Sequence, residues 1–171
     1  MTLERLWAGW RLEYIESAGE AERAGDGSGG CVFCRILASD EPPESTLVLW
    51  RDEVCAAVLN AYPYTSGHLM VMPVRHVADL EDLDGRESGA VWNALTDSIR
   101  ALKAAYPLEG LNVGANLGRA AGAGVPGHAH LHALPRWSGD TNFMTTVAEA
   151  RVVPEALPVT YRRLRAAWPR T

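Results

Sequence analysis

Three of the five histidines in this 171-residue chain fall in one run, His128-Ala129-His130-Leu131-His132, and two of its three cysteines form Cys31-Val32-Phe33-Cys34. In an extended strand successive side chains alternate between faces, so His128, His130 and His132 share one side while Ala129, Leu131 and Ala133 occupy the other. One face is then chemical and the other is core. A neutral imidazole is a competent nucleophile, base or metal ligand near neutral pH. Imidazoles at i and i+2 on a strand can share one ion, but i and i+4 lie about 13 Å apart at Cα by strand rise, too far for all three to ligate one metal comfortably.

The cysteine pair carries a second chemistry. Three cysteines at 31, 34 and 55 do not make a disulfide framework, and in a reducing compartment Cys-x-x-Cys is metal-binding or redox-active. Cys55, alone in Val54-Cys55-Ala56-Ala57-Val58-Leu59, reads as a small buried hydrophobe. The glycine-rich stretch 116–127, with Gly118, Arg119, Gly122 and Gly124, can bring backbone amides close to an anion, with Arg119 as a clamp, or serve merely as a turn.

Several elements must hold these groups. Residues 31–37 suit a short helix ended by Ser39-Asp40-Glu41-Pro42-Pro43. Leu47 to Trp50 and Val54 to Leu59 read as a hairpin, and His68 to Pro73 as a third strand. Val91, Leu95, Ile99 and Leu102 recur at helical spacing, which predicts one long helix over 85–106. Strands at 111–115 and 129–134 follow, and a last helix at 155–168. This order predicts an α+β domain with an antiparallel sheet of about five strands, one long helix and a C-terminal helix. There is no dinucleotide fingerprint or Walker loop.

The domain is expected to run from 31 to 171. Ahead of it, residues 1–16 carry Leu6, Trp7, Trp10, Leu12, Tyr14 and Ile15 as an apolar arm, joined by a polar, glycine-rich and flexible linker that ends at residue 30. The net charge of -5 and pI near 5.5 argue against a nucleic-acid coat, though a small anionic ligand remains compatible. The longest apolar runs fall far short of the roughly 20 residues a membrane span needs, and the N-terminus lacks a secretory signal, so no membrane is expected and a cytoplasmic location is the default.

The run His128-Ala129-His130-Leu131-His132-Ala133-Leu134 resembles the signature of the histidine-triad (HIT) superfamily. Asn60 followed by Pro63, Gly67-His68, Val71-Met72-Pro73 and His76 resembles the family's upstream strand pair, and Asn112-Val113-Gly114-Ala115-Asn116 the strand before the triad. Leu6-Trp7-x-x-Trp10-Arg11 and Pro135-Arg136-Trp137-Ser138-Gly139-Asp140-Thr141-Asn142-Phe143 are similar to the actinobacterial branch that contains diadenosine tetraphosphate phosphorylases. The resemblance implies a HIT-like fold and covalent catalysis: His130 attacks an α-phosphorus, the His128 carbonyl sets its tautomer, and His132 supports developing charge.

It also implies that Asn60 touches ribose hydroxyls and that Asn116 faces the phosphates. Many relatives carry a Gln where this chain has Gly124, so that side-chain contact is absent here. Some bacterial members bind zinc with such a cysteine pair and two histidines, which here are Cys31, Cys34, His76 and His128, a closed structural site. No organic cofactor is implied. The expected partners are an adenine nucleotide or dinucleoside polyphosphate, inorganic phosphate as acceptor, and a second copy in a homodimer. Phosphorolysis of diadenosine tetraphosphate to ADP and ATP is the leading expectation. The alternatives are a phosphoramidase or adenylyl hydrolase, a nucleotide-binding regulator with little turnover, and a structural zinc protein.

Overall fold

The computed structural model describes residues 30–140 and 155–169. The apolar arm, all but the last residue of its glycine-rich linker, and Thr141, Asn142 and Phe143 lie outside the described residues.

The chain begins with α1 (Val32–Ala38) and a single turn, α2 (Pro43–Thr46), and then enters the sheet through β1 (Val48–Arg51), β2 (Cys55–Leu59) and β3 (Leu69–Pro73). The long helix α3 (Gly85–Ala105) separates these from β4 (Gly110–Ala115) and β5 (Leu131–Arg136), and α4 (Leu157–Ala167) closes the described chain. Strand order is β1-β2-β3-β5-β4, and every neighbouring pair is antiparallel. The expected α+β architecture is therefore present.

Both faces of the centre of the sheet are covered, which is why β2 and β3 are buried at every position and read as continuous apolar runs rather than as an alternation. Alternate residues Cys55, Ala57, Leu59, Leu69, Val71 and Ala133 pack under α3 and α4, against Val91, Leu95, Leu102 and Leu164. The other parity, Ala56, Val58, Met70 and Met72, meets Cys31, Phe33 and Leu37 on the α1 side. Cys55 is fully buried in the first of these layers.

A capping box starts α3: the Asp84 side chain accepts from the Glu87 N–H, and the Glu87 carboxylate accepts from the Asp84 N–H, which satisfies two donors the helix leaves open. Glu87 also receives Arg75 through both Nε and Nη2 at 2.7 Å. Arg75 therefore pins the turn after β3, where His76 sits, to the start of the long helix.

The last strand begins later than its sequence pattern suggests. β5 opens at Leu131, not at residue 129, because the Ala129 N–H donates outside the sheet to Val77 O at 2.7 Å and β3 pairs with β5 only through Leu69, Val71 and Met70. His128 and His130 precede the strand, and His132 lies in it opposite Met70.

Gly67, in the turn between β2 and β3, adopts φ +81°, and a Cβ there would stand 3.1–3.2 Å from Leu102, Pro135 and Tyr106. Both the backbone conformation and the space require glycine. Gly67→Ala is expected to cost more than about 1 kcal/mol in denaturant unfolding; an unchanged midpoint would contradict this placement of the turn.

Candidate active site and metal centre

The three histidines of the run are all buried, with His128 fully so. Phe33, delivered by α1, packs edge-on against the rings of both His128 and His130, with centroids 5.5 and 5.0 Å apart. The helix that carries the cysteines thus also walls the histidines.

The His130 ring donates from Nδ1 to the carbonyl of His128 at 2.8 Å. A carbonyl can only accept, so the proton sits on Nδ1 and Nε2 keeps its lone pair. Burial lowers the His130 pKa below the ordinary histidine value, which favours the neutral, nucleophilic ring.

A second chain of bonds fixes His132. The Tyr64 N–H donates to His68 Nδ1 at 3.2 Å, so His68 must carry its proton on Nε2 and donate it to His132 Nδ1 at 2.9 Å. His132 is then left with its proton on Nε2, a buried atom with no partner among the described residues. Burial, and then the neighbouring His130, draws the His132 pKa down to about 4. The two rings lie 4.9 Å apart and offer complementary atoms: a bare nitrogen on His130 and an N–H donor on His132.

Both rings line a cavity of about 130 Å³, with Asn60, Asn116 and Gly124 on its polar side and Phe33, Ile36, Leu47 and Val58 among its apolar walls. Asn60 is partly committed already, since its Oδ1 accepts from the Tyr62 N–H and its Nδ2 lies 3.2 Å from His68 Nδ1. Arg119 stands on a 3-10 turn (Arg119–Ala121) between Gly118 and Gly122, both at positive φ, and is not among the lining residues. A wider groove of about 560 Å³ opens beyond Tyr64, but its lining includes no histidine or cysteine.

Cys31, Cys34, His76 and His128 bring their ligand atoms within 4.8 Å of one another. Cys31 Sγ lies 3.4 Å and Cys34 Sγ 3.7 Å from His128 Nδ1, and Cys34 Sγ lies 3.3 Å from His76 Nδ1. Zinc bonds of about 2.3 Å to sulfur and 2.0–2.1 Å to nitrogen, set at tetrahedral angles, separate such atoms by about 3.5 Å. His128 Nε2 donates to Pro73 O at 2.9 Å, which leaves Nδ1 unprotonated toward the sulfurs, as a metal ligand requires. Burial, and then Cys31, holds the Cys34 thiol up at about 11, so two thiolates this close call for a cation. The donor set fits a tetrahedral dication.

The HIT domain family model matches residues 42–139. The chain belongs to the HIT family. A Mycobacterium tuberculosis protein named AP-4-A phosphorylase is 39% identical over 169 residues, 98% of this chain and 86% of its own length. A zinc-bound histidine triad family protein from Mycobacterium smegmatis superposes with a TM-score of 0.66 at 32% identity, over 82% of this chain and 94% of that one. A hypothetical histidine triad nucleotide-binding protein from Sulfolobus tokodaii gives 0.65 at 27% identity, over 80% and 91%. With its histidine run intact, this HIT protein is an enzyme of the nucleotidyl-transferring or hydrolysing type. Cys31 and Cys34 fall outside the span of the family match.

Sequence reasoning placed the run and the cysteine pair but gave no role to His68 and Tyr64. The signal was present: His68 shares the parity of Met70 and Met72, which β3 turns toward the histidine side.

The low pKa of His132 has a consequence for stability. The unfolded chain binds a proton on this residue near pH 6.5 and the folded chain only near 4, so the unfolded state holds more protons in that interval and stability falls as pH drops through it. In His132→Gln that part of the acid loss should vanish, as read by denaturant midpoints at pH 6.5 and 4.5. An identical pH slope in both proteins would refute the assignment.

Proposed function

We propose that the protein cleaves a dinucleoside polyphosphate at an α-phosphorus and passes the nucleotidyl group to inorganic phosphate. The observation that carries this reading is the pairing of a bare His130 Nε2 with the His132 Nε2–H in one cavity. His130 Nε2 forms a bond to the α-phosphorus as the bond to the bridging oxygen breaks, and the polyphosphate leaves with that electron pair. The His132 N–H donates to phosphoryl oxygen, stabilising charge that grows in the transition state. A phosphate oxygen then attacks the nucleotidyl-imidazole, and the P–N electron pair returns to His130. With diadenosine tetraphosphate the sum is ATP plus ADP.

The name of the Mycobacterium tuberculosis relative supports phosphate as acceptor. Asn60 would meet the ribose, Asn116 and the amides around Gly124 the phosphates, and the apolar walls the base. Arg119 would reach this site only from outside the cavity lining. Cys31, Cys34, His76 and His128 would hold a structural zinc, as the metal-bound Mycobacterium smegmatis neighbour supports; when bound, it supplies two charges that compensate two thiolates and ties α1 to the turn after β3. We place the protein in a reducing cytoplasm, in keeping with three unpaired cysteines. The homodimer expected of the family would pair through β4, the sheet edge on which Asn112, Val113 and Gly114 are exposed. Among the described residues no helix is long and apolar enough to cross a membrane.

The test is an incubation with diadenosine tetraphosphate with and without inorganic phosphate. Phosphate-dependent ADP plus ATP is expected, while AMP plus ATP regardless of phosphate would assign water as the acceptor. Turnover should fall roughly a thousandfold or more in His130→Ala, and full turnover there would end this reading.

A further inference from the structure

The peptide group that fixes the nucleophile's tautomer begins at one residue of the cysteine–histidine cluster, His128, and is held on its N–H side by the neighbour of another, His76. Its carbonyl, His128 O, accepts from His130 Nδ1. Its N–H, that of Ala129, donates to Val77 O at 2.7 Å, and Val77 follows His76. The His128 ring is itself fully buried, bonded through Nε2 to Pro73 O, and faces Cys31 and Cys34 with Nδ1. One cluster residue, His128, thus supplies this peptide's carbonyl, and the residue after another, His76, accepts its N–H. A bound dication would set the His128 ring and the His76-Val77 segment at a fixed separation, and with them the direction of the carbonyl.

We infer that the metal centre positions the nucleophile, with His128 as the positioning residue: occupancy of the four ligands holds the 128–129 peptide in the one orientation that keeps the proton of His130 on Nδ1. This rests on the reading of His130 as nucleophile and of the cluster as a zinc site. Loss of metal frees the His128 ring and the His76 turn, the peptide can rotate, and the His130 proton is no longer confined to the nitrogen facing away from substrate. Nucleotide binding would use Asn60, Asn116 and the apolar walls, and none of these is a ligand of the cluster, although Phe33 packs on both His128 and His130. The coupling should thus appear in kcat and leave KM nearly unchanged.

The experiment compares the full chain purified without added metal, the same protein after chelation, and the chelated protein reloaded with zinc. Elemental analysis should find about one zinc per chain, the count of a closed four-ligand site. Histidine side-chain 15N spectra, which need no substrate, should show His130 as a single Nδ1–H tautomer when loaded and as a mixture when stripped. Over the same comparison kcat should fall about tenfold or more, the scale on which outer-shell partners of a metal act, with KM within about twofold, and zinc should restore both readouts. A folded native chain without metal, or a stripped folded chain with an unchanged tautomer and kcat, would overturn the inference.

Should chelation unfold the protein, His128→Cys decides. It keeps four ligands, now three thiolates and one imidazole, and keeps the backbone carbonyl, but loses the ring bond to Pro73. With zinc retained, kcat and the His130 tautomer are expected to stay near those of the unsubstituted protein, because four ligands still fix residue 128; a fall of about tenfold in kcat with zinc in place would put the hold in the ring bond to Pro73 and overturn the inference. If His130 proved not to be the nucleophile, the tautomer comparison would still report on the metal coupling, so the two failures are separable.

Discussion

One hydrogen bond, from His130 Nδ1 to the carbonyl of His128, gives the site its chemistry. Imidazole exchanges its proton between two nitrogens, and only one tautomer presents a lone pair to the cavity. The bond selects that tautomer within a run of three residues, before any long-range packing is considered. Its direction nevertheless depends on where the 128–129 peptide points, and this peptide lies outside the regular ladder of β5. The fold must therefore hold it by other means, and it does so through Val77, Pro73 and the ring of His128 itself.

The sheet supplies this support by presenting different chemistry on its two faces. Under α3 and α4 it carries a conventional apolar core. On the α1 side the same strands offer Met70, Met72 and His132, with His128 and His130 just ahead of β5, and α1 with the preceding Cys31 covers this side through Phe33 and Leu37. A buried histidine is expensive when charged, so burial holds His128, His130 and His132 toward the neutral form, and each of these rings has its tautomer set by one neighbour. His130 takes its setting from a carbonyl and His132 from His68, with opposite results. The asymmetry between a bare Nε2 on His130 and an Nε2–H on His132 follows from that difference of partner.

The sequence alone revealed the histidine run, the long helix and most of the strands, because these depend on local periodicity. It misplaced the start of β5 by two residues, since Ala129 satisfies its N–H through Val77, a contact that no pattern within 129–134 announces. His68 and Tyr64 remained without a role for a similar reason. Their link to His132 depends on the pairing of β3 with β5, strands separated in sequence by α3 and β4. The cysteine pair was visible, but its completion by His76 and His128 rested on family resemblance; the geometry now stands on its own distances. Nothing in the spacing could show that Arg119, on its short 3-10 turn, is not among the residues lining the cavity.

The central claim is that His130 Nε2 becomes covalently bonded to phosphorus during turnover. A rapid quench into base, which preserves a phosphoramidate bond, followed by peptide mapping by mass spectrometry, tests it most directly. With diadenosine tetraphosphate and no inorganic phosphate, a nucleotidyl group is predicted on the peptide carrying His130, discharged when phosphate is added. An adduct on another residue, or steady turnover with no adduct on any peptide, would contradict the account.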